Sequence, residues 1–121
     1  MTDTAVQVVL AYYEAWTGGD FEQAMTYVAD DVVCDAPAGR LDGIDGYRAF
    51  LGPFARTLVG ARLIAAFGDS ERAVVVYDTE SALVASAPAA ECVTVRDGRI
   101  VHSRFIFDRL PFQEARAAAG R

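Results

Sequence analysis

The order of elements along this chain predicts an α+β domain, in which helices wrap one face of a curved antiparallel sheet. Apolar residues recur at helical spacing through the first half of the sequence. After Gly60 they occur instead in short β-branched and aromatic runs that are typical of strands. The Asp-Gly pair at 97–98 separates two such runs and indicates a hairpin. A sheet curved around three N-terminal helices leaves a cone that is open at one end.

The helices come first. The opening segment predicts a largely buried helix that begins at Thr2 or Asp3 and stops at the Gly-Gly pair before Asp20, because its apolar side chains cover more than one stripe. Asp20 caps a second, shorter helix, and Gln23 stands in the capping-box position. The segment IDGYRAFLGPFARTL predicts a third helix with a kink or break at its Gly-Pro pair.

Short strands fill the rest of the chain. DDVVCDAP predicts a strand that ends at Pro37, and RLDG a brief extended piece. The four strands of a meander are predicted in ARLIAAF, RAVVVYDTESALV, ECVTV and RIVHSRFIF. The segment LPFQEARAAAGR is predicted to form a short helix or a frayed end.

Composition bounds the function. The 121 residues predict a single domain over 1–121, without repeats or linkers. The net charge of −6 and the scattered arginines argue against nucleic acid as a partner. No stretch approaches a membrane span, and no basic region precedes the first apolar residues, so we expect a cytoplasmic protein without a membrane partner. One His and two separated Cys give no metal-ligand spacing, so no metal or cofactor is expected.

The stretch VVVYDTESALV at 74–84 suggests a lined cavity. Val74, Val76, Asp78 and Glu80 share one face of the strand, because side chains alternate between faces. That face begins apolar and ends with two acids, which suits neither open solvent nor a closed core. A cavity with acids at one side would accommodate both.

Three phrases carry a resemblance to a known family: YYEAWTGGDFEQAMTYVADDVVCDAPAG, GIDGYRAF and RDGRIVHSRFIFDRLPF. With the strand pattern, they make nearly the whole chain resemble the nuclear transport factor 2-like superfamily, in its bacterial SnoaL-like branch. The resemblance implies the cone-shaped fold. It also implies a choice of roles, since the superfamily contains ketosteroid isomerases, polyketide cyclases, limonene epoxide hydrolase and non-catalytic members.

By resemblance to ketosteroid isomerase, Tyr12 falls on the tyrosine that donates to the developing oxyanion, and Glu91 on the protonated acid of the same oxyanion hole. The catalytic base falls on Ala36, and the neighbouring Asp35 points to the opposite face. The resemblance therefore implies the isomerase's electrophile without its base.

By resemblance to limonene epoxide hydrolase, Glu80 falls on one catalytic aspartate and Asp78 on the arginine of its relay. Phe105 replaces the second aspartate, while Cys34 and Ala36 replace the two residues that hold the attacking water. Both alignments direct Asp78 and Glu80 into the cone, near Glu91.

The predicted cone lining and binding residues follow from these alignments. The lining includes Tyr12, and the candidate binding residues are Trp16, Cys34, Ala36, Phe50, Phe54, Val76, Phe105 and Phe107. His102 alternates with the phenylalanines and is expected on the outer sheet face, with Arg104 and Asp108 as a structural or interface pair.

Two hypotheses of function remain open. The first is a small cofactorless enzyme that acts on an apolar polyketide-, steroid- or terpenoid-like molecule, with Tyr12 and neutral Glu91 polarising an oxygen while Glu80 or Asp78 moves a proton. The second is a non-catalytic binding or accessory protein. The enzyme requires all three acids inside one cavity, whereas the binding protein does not.

Two further expectations are structural. Glu91 should lie within hydrogen-bonding reach of Tyr12 or across the cavity from it, mostly out of water and with a raised pKa. The outer sheet face, over 92–96 and 102–108, should form a homodimer interface, because exposed apolar sheet faces are usually covered.

Overall fold

The computed structural model of the protein describes residues 4–120, which form four helices and one six-stranded curved sheet. The helices are Ala5–Thr17 (α1), Phe21–Met25 (α2), Gly43–Thr57 (α3) and Leu110–Ala119 (α4). The strands are Val28–Ala36 (β1), Gly39–Asp42 (β2), Leu58–Gly68 (β3), Arg72–Ser81 (β4), Ala87–Arg96 (β5) and Arg99–Phe107 (β6). The predicted α+β class with helices on one face of a curved sheet is confirmed.

Local capping determines where the first helices begin. Thr4 caps α1 in a capping box: its hydroxyl accepts from the Gln7 amide at 3.2 Å, and the Gln7 side chain accepts from the Thr4 amide at 2.8 Å. Asp20 caps α2, as predicted, by accepting from the Gln23 amide. The predicted caps at residues 2 and 3 lie outside the described residues. Helix α3 continues through Pro53 instead of breaking there.

The sheet has the strand order β2-β1-β6-β5-β4-β3. The four strands from β3 to β6 form the predicted antiparallel meander, and the Asp97-Gly98 turn joins the last two. Strand β1 lies beside β6 and runs parallel to it, while β2 pairs antiparallel with the far side of β1. Strand β6 therefore connects the N-terminal strands to the meander.

The core lies between the helices and the inner face of the sheet. Helix α1 is buried along most of its length, as its wide apolar surface predicted. Trp16, near its end, packs edge-on against Tyr13 and Tyr77 and contacts Phe54 of α3. These aromatic contacts hold α1 and α3 on the same region of β4.

The inner face of β4 is the opposite of the predicted one. Ala73, Val75, Tyr77 and Thr79 are buried, whereas Glu80 is exposed and Asp78 is half-buried. Residues 73–77 are apolar on both faces, so alternation alone does not select the buried face. The residues at the ends of the two faces select which face is buried. Thr79 can be buried because its hydroxyl donates a hydrogen bond to the Ala87 carbonyl, whereas burying the carboxylates of Asp78 and Glu80 would cost far more.

No helix within residues 4–120 is long and apolar enough to cross a membrane.

Candidate functional site

A cavity of about 260 Å³ opens at one end of the cone, between the sheet, α3 and α4. Aromatic side chains form most of its wall, and its polar groups lie mainly on α4. The lining residues are Pro37, Ala38, Phe50, Leu51, Phe54, Tyr77, Thr79, Ala87, Ala89, Phe105, Phe107, Arg109, Phe112, Gln113 and Arg116. No carboxylate lines the cavity among the residues that the structure describes.

The register of the sheet arranges the inner face in levels about 7 Å apart, because every second residue of a strand shares a face. From the open end inward, the levels are Thr79–Ala87, Tyr77–Ala89–Phe107, Val75–Glu91–Phe105 and Ala73–Val93–Ser103–Cys34. The cavity extends as far as Phe105, so the third level is its floor.

A buried polar cluster, consisting of Tyr12, Tyr47, Glu91 and Ser103, lies at and below that floor. None of the four side chains is measurably exposed. Tyr12 donates to Glu91 Oε1 at 3.0 Å, while Tyr47 and Ser103 each donate to Glu91 Oε2 at 2.6 Å. The hydroxyls of Tyr12 and Tyr47 also contact each other. The cluster thus joins α1, α3, β5 and β6 around a single carboxyl group.

Burial raises the pKa of Glu91 from 4.5 to about 7, because the ionised form loses its hydration inside the protein. The hydroxyls of Ser103, Tyr47 and Tyr12 oppose this by donating to the carboxylate, and they lower the pKa in that order. Desolvation is the larger effect. Glu91 therefore changes charge near neutral pH, where an ordinary glutamate is fully ionised.

The groups around Glu91 are kept protonated by the same environment. Burial and then the charge of Glu91 raise the pKa of Tyr12 and of Tyr47 well above 10. Burial and Glu91 likewise raise the pKa of the Cys34 thiol to about 12, so Cys34 has no thiolate character at neutral pH. Both Cys34 and Cys92 are free thiols.

The expected contact between Glu91 and Tyr12 is present, and Glu91 is out of water as predicted. Neither residue lines the cavity, however. Phe105 lines the cavity and also packs on the Tyr47 ring, with the ring centroids 5.9 Å apart. The Phe105 ring thus stands between the cavity and the polar cluster.

Half of the predicted binding residues lie where the sequence placed them. Phe50, Phe54, Phe105 and Phe107 line the cavity. Trp16 and Cys34 do not, because both are enclosed in the core, and the buried indole N–H of Trp16 has no acceptor within residues 4–120. Ala36 is half-buried, and the wall is formed instead by the next two residues of the chain.

The placement of Val76, Asp78 and Glu80 inside the cone is wrong. All three belong to the outer face of β4. The residues that alternate with them along the strand, Val75, Tyr77 and Thr79, are the ones buried on the inner face. Asp78 accepts from the Ser86 hydroxyl at 2.9 Å at the outside of the sheet. The three acids proposed as one site are therefore not in one cavity.

Sequence reasoning missed Tyr47 and Ser103, although the sequence contains a signal for each. Ser103 shares its strand face with Phe105 and Phe107, and a hydroxyl on an apolar face must find a buried partner. Tyr47 begins the buried stripe of α3 that continues through Leu51.

The outer face carries a separate group of charges. His102 Nε2 lies 2.9 Å from Asp35 Oδ2, and Arg104 donates to the same oxygen at 3.3 Å. These contacts, with that of His102 first, hold the pKa of Asp35 below its usual value. Arg104 thus pairs with Asp35 and not with Asp108, which instead accepts from the Leu110 amide.

Within residues 4–120, no three His, Cys, Asp or Glu side chains are grouped so that they could hold a metal ion.

A cone-shaped α+β domain with an aromatic cavity above a buried acid defines a class of fold, and the sequence comparison gives its family. The SnoaL-like domain family matches residues 9–103, so the chain belongs to that family. Among curated proteins, none matches this sequence.

Solved structures agree with this fold. A protein from Kribbella flavida DSM 17836 is 55% identical, with 97% of each chain covered and a TM-score of 0.93. A nuclear transport factor 2-like protein of unknown function from Cytophaga hutchinsonii ATCC 33406 is 17% identical over 93% of this chain and 97% of its own, with a TM-score of 0.77. A proposed polyketide cyclase from Pseudomonas putida KT2440 is 23% identical over 93% and 98% of the two chains, with a TM-score of 0.75. The last two similarities show the fold alone.

Proposed function

We propose that this protein binds an apolar small molecule in the cavity at the open end of the cone. The observation that carries the proposal is the wall itself: Phe50, Phe54, Phe105, Phe107 and Phe112 surround a volume of about 260 Å³. Concave, mostly apolar pockets with a few polar groups are the usual binding sites for small molecules.

The absence of a carboxylate from the described cavity lining favours binding over the predicted three-acid mechanism. Acid–base catalysis requires a proton-transferring group within hydrogen-bond reach of the substrate. Asp78 and Glu80 lie on the outer face of β4, and Glu91 is fully buried and does not line the cavity. The polyketide-, steroid- or terpenoid-like character of the ligand remains part of this proposal.

Ala89 and Ala90 provide a matched test of the cavity. Ala89 lines the cavity, whereas its neighbour Ala90 pairs with Val76 and Ile106 on the outer side of the same strand. We expect Ala89→Phe to fill the cavity and to weaken binding of the neutral fluorescent probe N-phenylnaphthylamine by roughly ten-fold or more. Ala90→Phe should leave the affinity unchanged. Equal affinities of the two variants, or no binding by the unmodified protein, would contradict the proposal.

An acid–base enzyme is the second candidate, and one observation favours it. Glu91 belongs to the level that forms the cavity floor, and its pKa of about 7 lets it both accept and donate a proton near neutral pH. A proposed polyketide cyclase shares the fold. For this candidate, the floor of the cavity has to open when substrate binds, since Glu91 is fully buried and does not line the cavity.

Exchange of the α-protons of tetralone for deuterium, followed by NMR, tests this enzyme. A Glu91 that transfers the proton is disabled by both Glu91→Gln and Glu91→Ala. If Glu91 only donates a hydrogen bond to the enolate oxygen, Glu91→Gln retains most of the activity and Glu91→Ala loses it, because the amide still donates. Exchange no faster than in buffer would leave the binding function alone.

A further inference from the structure

The cavity mouth is the polar end of the site, and α4 forms it. Arg109, which precedes the helix, and Phe112, Gln113 and Arg116 lie three, four and seven positions apart, so they share one side of the helix. All four line the cavity. Phe112 packs edge-on against Phe54 and Phe107, at 5.8 and 5.9 Å between ring centroids, and so closes the apolar part of the wall. The two arginines and the amide remain at the rim.

Both rim arginines lack a carboxylate partner among the residues that the structure describes. The ion pairs found there involve Arg40, Arg48, His102 and Arg104, but neither Arg109 nor Arg116. Most of the other described arginines are likewise outside these ion pairs, so Arg109 and Arg116 are distinguished by their position on the cavity lining. Asp108, next to Arg109, is already engaged by the Leu110 amide.

Helix electrostatics account for only one of these arginines. Arg116 lies in the last turn of α4, where the helix dipole favours a positive charge. Arg109 lies at the N-cap, where the dipole disfavours it, and its side chain makes no capping hydrogen bond. Arg109 and Arg116 carry the only formal charges on the described cavity lining, and the helix dipole disfavours the charge of Arg109.

We propose that the ligand of the cavity is an amphipathic anion, with an apolar ring body among the phenylalanines and a carboxylate at the mouth between Arg109 and Arg116. This inference rests on the proposed binding function and specifies its ligand class. A planar guanidinium donates two parallel hydrogen bonds to a carboxylate, and the Gln113 amide supplies a further donor. The acidic remainder of the protein repels anions elsewhere, so the two arginines give the mouth its selectivity.

Naphthoate and its methyl ester test the proposal by isothermal titration calorimetry, because they share the ring body and differ in charge. We expect the unmodified protein to bind naphthoate roughly ten-fold more tightly than the ester, which is a common gain for a charge-assisted pair at a partly exposed site. In the double variant Arg109→Gln/Arg116→Gln, naphthoate should lose that advantage while the ester keeps its affinity. Unchanged binding of the ester also shows that the variant is folded.

Arg99→Gln is the matched control, because Arg99 is exposed at the hairpin on the opposite end of β6. It should change neither affinity. Equal affinities for naphthoate and the ester, or a naphthoate affinity that the double variant retains, would overturn the anionic ligand and leave the apolar cavity in place. Failure of the unmodified protein to bind either compound would overturn the proposed function as well.

Discussion

At the scale of single residues, the unusual feature is Glu91, a carboxyl group with three hydroxyl donors and no exposure to water. Its hydrogen bonds favour the ionised form, but desolvation outweighs them and raises the pKa. The folded protein therefore holds a proton that an unfolded chain would release near neutral pH, and this couples the stability of the fold to pH.

We expect the free energy of unfolding to fall as the pH rises from about 4.5 to about 7. The pKa of Glu91 is higher in the folded protein, so its stabilising contribution is complete below about 4.5 and is lost as the pH passes about 7. The loss is at most a few kcal/mol, at about 1.4 kcal/mol for each pKa unit. Urea unfolding at about pH 5 and about pH 8 measures it.

Glu91→Gln should remove this pH dependence, whereas Glu80→Gln, which changes an exposed acid on β4, should preserve it. Two other acids with shifted pKa values do not interfere with this measurement. A hydrogen bond to His102 lowers the pKa of Asp35, and the backbone amide of Arg72 lowers the pKa of Asp69, so both carboxyl groups titrate below this pH range. Identical slopes in the Glu91→Gln variant and the unmodified protein would show that Glu91 is ionised in the fold.

We expect Glu91→Ala to be far more destabilising than Glu91→Gln. The alanine variant leaves Tyr12, Tyr47 and Ser103 without their shared acceptor and creates a cavity, which together cost about 3–5 kcal/mol. The glutamine keeps the volume and an acceptor oxygen. Thermal unfolding measures both changes, and equal losses of stability would mean that the hydrogen bonds of Glu91 contribute little.

Single residues of the site differ in how far the sequence predicts them. The pairing of Glu91 with Tyr12 follows from the resemblance to ketosteroid isomerase, which places both residues in one oxyanion hole. Asp78 and Glu80 were misplaced by a shift of one residue in β4, which moves every side chain to the other face. Arg109 and Arg116 were not predicted, since their role depends on how α4 folds across the cavity mouth, and nothing local in the sequence determines that.

At the scale of elements, the β3–β4 hairpin depends on close packing of backbone against backbone. Asp69 closes the turn by accepting from the amides of Glu71 and Arg72, both at 2.8 Å. Gly68, just before it, has a φ of 155°, and a Cβ atom at this position would lie 2.2 Å from the Arg72 carbonyl oxygen. The turn therefore requires glycine, and its neighbour Asp69 supplies the side-chain cap.

We expect Gly68→Ala to lower the free energy of unfolding by about 2–4 kcal/mol, because backbone atoms cannot yield to the new methyl group. Gly60→Ala is the control within the same strand, since a Cβ there meets no atom within 4 Å. It should be neutral or slightly stabilising. Denaturant unfolding of the two variants distinguishes them, and a Gly68→Ala protein as stable as the Gly60→Ala protein would refute the close approach.

Most elements were predictable because each has a local cause, such as the Asp20 cap or the Asp97-Gly98 turn. The continuation of α3 through Pro53 was not predictable from the sequence. Packing of that helix against the sheet outweighs the loss of the backbone hydrogen bond that a proline cannot donate. The parallel pairing of β1 with β6 was also not predictable. It joins residues about 70 positions apart, and no local pattern encodes such a register.

At the scale of the whole molecule, the outer sheet face carries exposed apolar side chains beside a group of charged ones. Ile106 is 53% exposed there, and Val74 and Val76 of β4 are half-buried on the same face. The charges of Asp35, His102 and Arg104 lie along the same face. Apolar surface ringed by charge is typical of a protein interface.

We expect a homodimer through this face, with twice the mass of the chain in light scattering at micromolar concentration. Ile106→Asp should yield a monomer, because it places a charge in the apolar centre of the interface. Leu83→Asp changes an exposed leucine between β4 and β5 and should leave the dimer intact. A monomeric mass for the unmodified protein would contradict this arrangement.

The position of β6 between β1 and β5 also affects how the protein is made in the cell. Translation delivers residues 28–36 well before residues 99–107, yet β1 has no other strand of the meander to pair with. Until β6 emerges, no strand of the nascent chain can join β2-β1 to β5-β4-β3 by hydrogen bonds, and each group of strands leaves apolar surface uncovered. We therefore expect the sheet to be completed late in synthesis, when β6 pairs with both β1 and β5 and removes two aggregation-prone edges at once.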